Sequence, residues 1–191
     1  TSFFPSKNLG AYGDGGAIFT NDDELAKKIR GIVNHGMYKR YHHDIVGVNS
    51  RLDSIQAAIL DVKLKFLDEY NNSRKIAASK YSELLIKNNN IKIPKVIGDE
   101  DSHVFHQYTI SLNFKKRDEL AKYFTSNNIP YGIYYPIPLH KQKAYQNDRF
   151  NDEDFKNTNK LCNSVISLPM HTELNDDQIN FICNKIITFL K

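Results

Sequence analysis

The sequence predicts an α/β chain, on three observations. Apolar residues recur at helical spacing in several separate stretches, as in Leu25, Ile29, Ile32 and Val33. Elsewhere they alternate, as in Val104, His106, Tyr108, Ile110 and Leu112. The two textures follow one another along the chain with no internal repeat.

The elements follow in order. Ser2-Phe3-Phe4 reads as a strand. A polar loop carrying Gly10, Gly13, Gly15 and Gly16 leads to a second strand, Ala17-Ile18-Phe19. A helix is predicted from about Asp22 to Asn34, with Asn21 as its N-cap and acidic residues 22–24 at the positive end of its dipole. Residues 36–50 read as a polar, aromatic loop. A long helical stretch runs from about Ser50 to Asn88. Its stripes are Leu52, Ile55, Ile59, Val62 and Phe66, then Ile76, Ala77, Tyr81, Leu84 and Leu85, with a break expected at Asn71-Asn72-Ser73. After the 104–112 strand comes a short helix with Leu120, Ala121 and Phe124, and a second alternating run, Ile129 to Tyr135, that Pro136 and Pro138 stop. A helix near 155–164, an apolar run Val165-Ile166-Ser167-Leu168 and a final helix complete the chain. The last opens on Asn175 with Gln178 three residues on, a capping box, and buries Ile179, Ile182, Ile186 and Leu190.

The chain has 191 residues, 40% of them hydrophobic and 25% charged, with a formal net charge of +4. That is ordinary composition for a globular protein. No apolar run approaches the roughly 18 residues of a membrane span, so no membrane partner is expected. Without a basic stripe, +4 gives no reason to expect nucleic acid. Cys162 and Cys183 form no CxxC, which points away from a disulfide framework and from zinc. The start lacks the features of a signal peptide, and a cytoplasmic location is expected. The chain opens inside a strand without Met, which suggests part of a longer protein.

The chemistry concentrates in Ser2-Phe3-Phe4-Pro5-Ser6-Lys7-Asn8-Leu9-Gly10 and the following Gly13-Asp14-Gly15-Gly16. A lysine between an apolar strand and a glycine-rich turn can point into a cleft, and partial burial of an amine favours the neutral form that condenses with a carbonyl. The glycine pattern matches neither GxGxxG nor a P-loop. Taken alone, Ser2 reads as a strand start and Asn49 as a cap for a helix from Ser50. His42 and His43 are adjacent and have no evident third ligand, so no metal site is expected.

Together, the segments resemble a known family. Residues 2–17 are similar to the cofactor-lysine motif of the DegT/DnrJ/EryC1/StrS sugar aminotransferases, which use pyridoxal phosphate (PLP). Gly47-Val48-Asn49-Ser50-Arg51-Leu52-Asp53-Ser54-Ile55-Gln56-Ala57-Ala58, Tyr135-Pro136-Ile137-Pro138-Leu139-His140 and Ser167-Leu168-Pro169-Met170 resemble three further family blocks, in family order. Asp14 stands where the family has glutamate.

The resemblance implies a fold type I PLP-dependent transferase, like aspartate aminotransferase. Residues 1–70 would be the tail of its large domain and 71–191 its small C-terminal α+β domain. Lys7 would hold PLP as a Schiff base and shuttle a proton in catalysis. Ser2 would donate to the PLP phosphate, and Asn49 would reach the phosphate of the neighbouring subunit, making the site a property of a homodimer. The substrates implied are an amino-acid donor, glutamate being expected, and a nucleotide-linked keto sugar, expected to be a dTDP-3-keto-6-deoxyhexose. Lys39, Arg40, His42 and His43 are candidate partners for its diphosphate, and Tyr135 and His140 for its hexose. The family's pyridine-binding aspartate lies upstream of the lysine, so a full member is expected to be about twice this length. The alternatives are a non-catalytic member that binds PLP or sugar nucleotides, and an inactive fragment.

Overall fold

Asp22, not Asn21, opens the first helix, α1 (Asp23–Val33): its side chain accepts from the Leu25 N–H at 3.0 Å. The computed structural model describes residues 1–99 and 101–191. It divides into two units, Thr1–Asp68 and Glu69–Lys191.

In the first unit, the opening segment is stitched to the glycine-rich loop rather than to a sheet. Phe3 N–H donates to Gly15 O at 2.8 Å, Ala11 N–H to Phe3 O at 2.8 Å and Ala17 N–H to Thr1 O at 3.0 Å. The expected strand at Ala17-Ile18-Phe19 is absent; a single bridge, Ser2 to Gly16, stands in its place. The reason is that, among the described residues, Ile18 and Phe19 have no partner strand and remain exposed. The expected loop at 36–50 holds a small antiparallel hairpin, β1 (Met37–Lys39) with β2 (His42–His43). Gly36, at φ +77°, makes its entry possible, because a Cβ there would collide with the Ile45 carbonyl.

The second helix, α2 (Ser54–Leu64), begins later than expected, with Asp53 rather than Asn49 at its N-cap. The break in the long helical stretch falls at residues 65–66, between α2 and α3 (Leu67–Leu85). Asn71, Asn72 and Ser73 lie inside α3, where their modest propensity penalty is outweighed by packing. The stripe read for α2 is mostly uncovered: Leu52, Ile55, Val62 and Phe66 are all exposed. Among the described residues, Ala11 and Leu60 are the buried apolar side chains of this unit.

The second unit has the core. Its centre is an antiparallel pair, β3 (Tyr108–Ser111) and β4 (Val165–Leu168), in the register Tyr108–Leu168, Thr109–Ser167, Ile110–Ile166 and Ser111–Val165. Single bridges extend it at both edges, Lys92 to Ser111 and Gly132 to Ser167. The alternation at 129–135 therefore yields one bridge, not a strand. β3 buries Tyr108 and Ile110 and half-buries Thr109 and Ser111, as period two requires. β4 is buried throughout, and Ser167 is satisfied by the Thr109 hydroxyl at 2.8 Å. Around the pair stand α3, α4 (Phe114–Ser126), α5 (Lys156–Cys162) and α6 (Asp176–Phe189). The buried cluster unites Tyr81, Leu85, Tyr108, Ile110, Leu120, Phe124, Ile166, Ile179, Ile182 and Ile186. On α3 the inward face is Arg74, Ala77, Ala78, Tyr81 and Leu85, while Ile76 and Leu84 face outward.

The capping box of α6 is complete. Asn175 Oδ1 accepts from Gln178 N–H at 2.9 Å, and Gln178 Oε1 accepts from Asn175 N–H at 3.1 Å. Asn175→Ala is expected to cost about 1 kcal/mol, read as a lower urea midpoint at unchanged slope.

Burial also fixes an alkaline limit. Desolvation pushes the Cys183 thiol up to about 12 and the Tyr108 phenol up to about 12. Unfolded, both groups ionise lower, near 9 and 10. Above pH 9 the unfolded chain therefore binds fewer protons than the folded one, and stability falls as pH rises from 9 towards 12. Urea midpoints from pH 8 to pH 11 check this, and Cys183→Ala should flatten the fall.

Candidate active site

Lys7 sits in the turn that follows the Ser2–Gly16 bridge. Its N–H donates to Phe4 O at 2.9 Å, which bends the chain back on itself. The side chain is half-buried. Its amine has no hydrogen-bond or ion-pair partner among the described residues, unlike Lys63, whose amine donates to Gly10 O. The turn is tight because a Cβ on Gly10 would collide with the Pro5 carbonyl. Tyr12 N–H donates to Gln56 Oε1 at 2.8 Å, so α2 braces the loop from the other side. Gln56 and Lys63 were not singled out by the sequence. Their side chains are ordinary for an exposed helix face, and only the fold brings them to the loop.

Ser2 is exposed, and its Oγ accepts from Phe4 N–H at 3.3 Å, which leaves the hydroxyl proton available to donate. Asn49 bridges to Asn34, and its Oδ1 accepts from Arg51 Nε at 3.0 Å. The amide nitrogen of Asn49 is thereby left as the donor. Asn49 and Arg51 share a cavity of about 650 Å³ with Asp14, Gly15, Gly16 and Arg30. Ser2 and Lys7 do not line it among the described residues.

The hairpin carries Lys39, Arg40, His42 and His43, all exposed. Arg40 stacks its guanidinium 4.8 Å from the centre of the Tyr41 ring. His43 Nδ1 lies 2.9 Å from His35 O and must carry a proton to bond that acceptor. His43 thus has a structural task in closing the hairpin. Among the described residues, no group of three or more His, Cys, Asp or Glu side chains could hold a metal ion, and no helix is long and apolar enough to cross a membrane.

In the second unit, Tyr135 is exposed and its ring meets Tyr134 edge-on at 5.6 Å. His140 is nearly covered: its ring stacks on Phe155 at 4.3 Å and Nε2 lies 3.0 Å from Asp152 Oδ1.

A half-buried lysine amine, unengaged among the described residues, thus lies between a hydroxyl-bearing bridge and a glycine loop. The chain belongs to the DegT/DnrJ/EryC1/StrS aminotransferase family, whose model matches residues 1–187. The aminotransferases of this family are PLP-dependent. A UDP-2-acetamido-2-deoxy-3-oxo-D-glucuronate aminotransferase of Pseudomonas aeruginosa is 45% identical over 183 residues, 96% of this chain and 49% of its own length. A pleiotropic regulatory protein of Geobacillus stearothermophilus is 44% identical over 192 residues, 100% of this chain and 51% of its own. The crystal structure of Streptomyces venezuelae DesV in complex with a ketimine intermediate superposes with a TM-score of 0.90 at 33% identity, covering 100% of this chain and 50% of that one. The fold is therefore that of these aminotransferases, and the chain spans about half the length of the relatives it matches.

The residues fit the cofactor. A free amine suits the aldehyde of PLP, and a serine hydroxyl and an asparagine amide nitrogen are donors suited to its phosphate.

Proposed function

We propose that the chain forms the lysine-bearing part of a sugar aminotransferase that moves an amino group from an amino acid, glutamate, to a keto sugar carried on a nucleotide. The observation that carries this reading is the unengaged amine of half-buried Lys7 in its tight turn. Bound PLP supplies an electron sink for negative charge at the carbon that carries the amine. Lys7 Nζ would hold the cofactor, then take the proton from the donor's α-carbon as base and deliver it to the cofactor's C4′ as acid. Ser2 Oγ–H donates to the phosphate. Asn49 Nδ2, aimed by Arg51, donates to the phosphate in a neighbouring subunit, so two subunits complete each site.

In the first unit, the hairpin cations Lys39 and Arg40, with exposed His42, are the partners for the acceptor's diphosphate. In the second, Tyr135 and His140 contact the hexose. Residues 1–70 belong to the large domain and 71–191 to the small one. The expected acceptor is a dTDP-linked 3-keto-6-deoxyhexose. The name of the Pseudomonas relative carries a UDP-linked 3-oxo sugar, which supports a ketone at C3.

The test is turnover in the reverse direction, from a 3-amino sugar nucleotide and 2-oxoglutarate, with dTDP and UDP series side by side. Glutamate formation from the dTDP substrate supports the full reading, and formation from the UDP substrate alone would reassign the nucleotide. A second reading is a member that binds PLP or sugar nucleotides without turnover; the Geobacillus relative is named a pleiotropic regulatory protein. Tight binding with no glutamate formed from either series would establish it.

A further inference from the structure

Asp152 is exposed, yet four contacts converge on it. Its Oδ1 lies 2.8 Å from Lys141 Nζ, 2.9 Å from Asn159 Nδ2 and 3.0 Å from His140 Nε2. Asn159 Nδ2 also reaches its backbone carbonyl at 3.2 Å. Nothing in the sequence singles Asp152 out: it stands twelve residues beyond His140 in a polar, acidic stretch. Yet it ties the two ends of the loop that follows Pro138, where the chain runs through three short 3-10 turns and no longer helix or strand.

The contacts fix which ring nitrogen of His140 faces the Asp152 carboxyl. The Lys141 ammonium, His140 and Asn159 hold the Asp152 carboxyl well below the usual carboxylate range. The carboxylate can only accept. Nε2 of His140 must therefore carry a proton, and in the neutral imidazole Nδ1 is then a bare acceptor. A 180° turn of the ring would keep its stacking on Phe155, at an interplanar angle of 20°, but would take Nε2 away from Asp152 Oδ1. Nδ1 has no partner among the described residues. His140 is also part of the wall of a cavity of about 610 Å³, together with Tyr145, Asn147, Arg149, Phe150 and Phe155. The size is within the usual range for small-molecule sites, and the mix of aromatic rings with a few polar groups is what such sites show.

We infer that Asp152 is a positioning residue that locks His140 in the Nε2–H form, so that Nδ1 accepts a hydrogen bond from a hydroxyl of a sugar nucleotide held in this cavity. The ligand class rests on the proposed function. The geometry adds the direction of the bond: the ligand must donate, and a keto or carboxylate oxygen cannot replace the hydroxyl. His140 acts on the ligand, and Asp152 acts through His140.

The experiment uses ¹⁵N-labelled holoprotein, with His140 assigned through His140→Gln. Long-range ¹H–¹⁵N correlations read the two ring nitrogens at neutral pH. The expected result is a protonated Nε2 and an unprotonated Nδ1, with the Nδ1 resonance moving when dTDP-glucose or UDP-N-acetylglucosamine is added. In Asp152→Ala the two nitrogens should average, and the dissociation constant of the bound sugar nucleotide should rise about tenfold, the worth of one hydrogen bond to an oriented partner. A thermal midpoint close to that of the parent separates this from unfolding, and the parent spectrum stands on its own should the variant not fold. A protonated Nδ1 in the parent overturns the positioning role. A sugar nucleotide that binds without moving the Nδ1 resonance, or fails to bind at all, overturns the hydroxyl site. Both probes are unreactive, so these results are independent of transaminase turnover, on which the proposed function stands or falls.

Discussion

Lys7→Ala is expected to abolish amino transfer and the visible absorbance of bound PLP together. The backbone bonds of the turn, Lys7 N–H to Phe4 O and Ala11 N–H to Phe3 O, do not involve the lysine side chain, so alanine leaves them in place. The amine makes no ion pair whose loss would disturb the fold among the described residues. Removing it therefore removes chemistry with little structural cost. A positioned acid or base contributes roughly 10²–10⁴-fold to rate, and in the proposed function the same residue also anchors the cofactor, so the loss should reach at least the top of that range. Turnover, the absorbance band and incorporation of tritium from borohydride measure the three consequences separately. A variant that keeps the band and the borohydride label would place the cofactor on another residue. Lys7→Arg should not rescue, because guanidinium stays charged and cannot condense with an aldehyde.

The largest effect on stability is expected at Arg74. It is 7% exposed on α3, in the middle of the inward face. Its Nη1 donates to Met170 O at 3.2 Å, His106 O at 3.1 Å and Phe105 O at 3.3 Å. No carboxylate pairs with it among the described residues; the charge is solvated by carbonyl dipoles, and burial lowers its pKa from the ordinary arginine value. One side chain thus closes the segment before β3 and the segment after β4 onto the same helix. Arg74→Leu fills much of the volume but leaves those carbonyls without a donor. At about 1–3 kcal/mol for each unsatisfied buried group, partly relieved by water, the cost should be about 3–5 kcal/mol. For a chain of this size that is a fall of about 10 °C in Tm. Arg74→Lys should recover only part, because the shorter side chain does not carry its ammonium as far as Nη1, which makes all three bonds. A leucine variant as stable as the parent would show that the carbonyls find other donors.

Sequence reading succeeded where the signal is local. The capping box at Asn175 and Gln178 is determined by residues three apart, and it appears atom for atom. The alternation around Tyr108 and Ile110 and the apolar run Val165–Leu168 are strands because their side chains meet a core within the same unit. It failed where apolar pattern had no partner to meet. Ile18 and Phe19 have strand composition but, among the described residues, no neighbouring strand, and most of the stripe of α2 stays exposed. The break in the long helix was sought at Asn71-Asn72-Ser73 because of their propensity. It lies instead at residues 65–66, while α3 carries those polar residues through on the packing of Ala77, Tyr81 and Leu85.

The sequence by itself determined the family, because four blocks in order are a property of the chain and need no coordinates. It also picked out Lys7, Ser2 and Asn49 as candidates. What only the tertiary structure decided is which side chains are free to act on a ligand and which are already engaged. Lys7 is unengaged, Asn49 has its oxygen taken by Arg51, His43 closes a hairpin, and His140 is locked between Phe155 and Asp152. These pairings join residues up to twelve and more positions apart through space. Hydrogen bonds and ring contacts act over a few ångströms, so the distances that decide them exist only once the chain has folded.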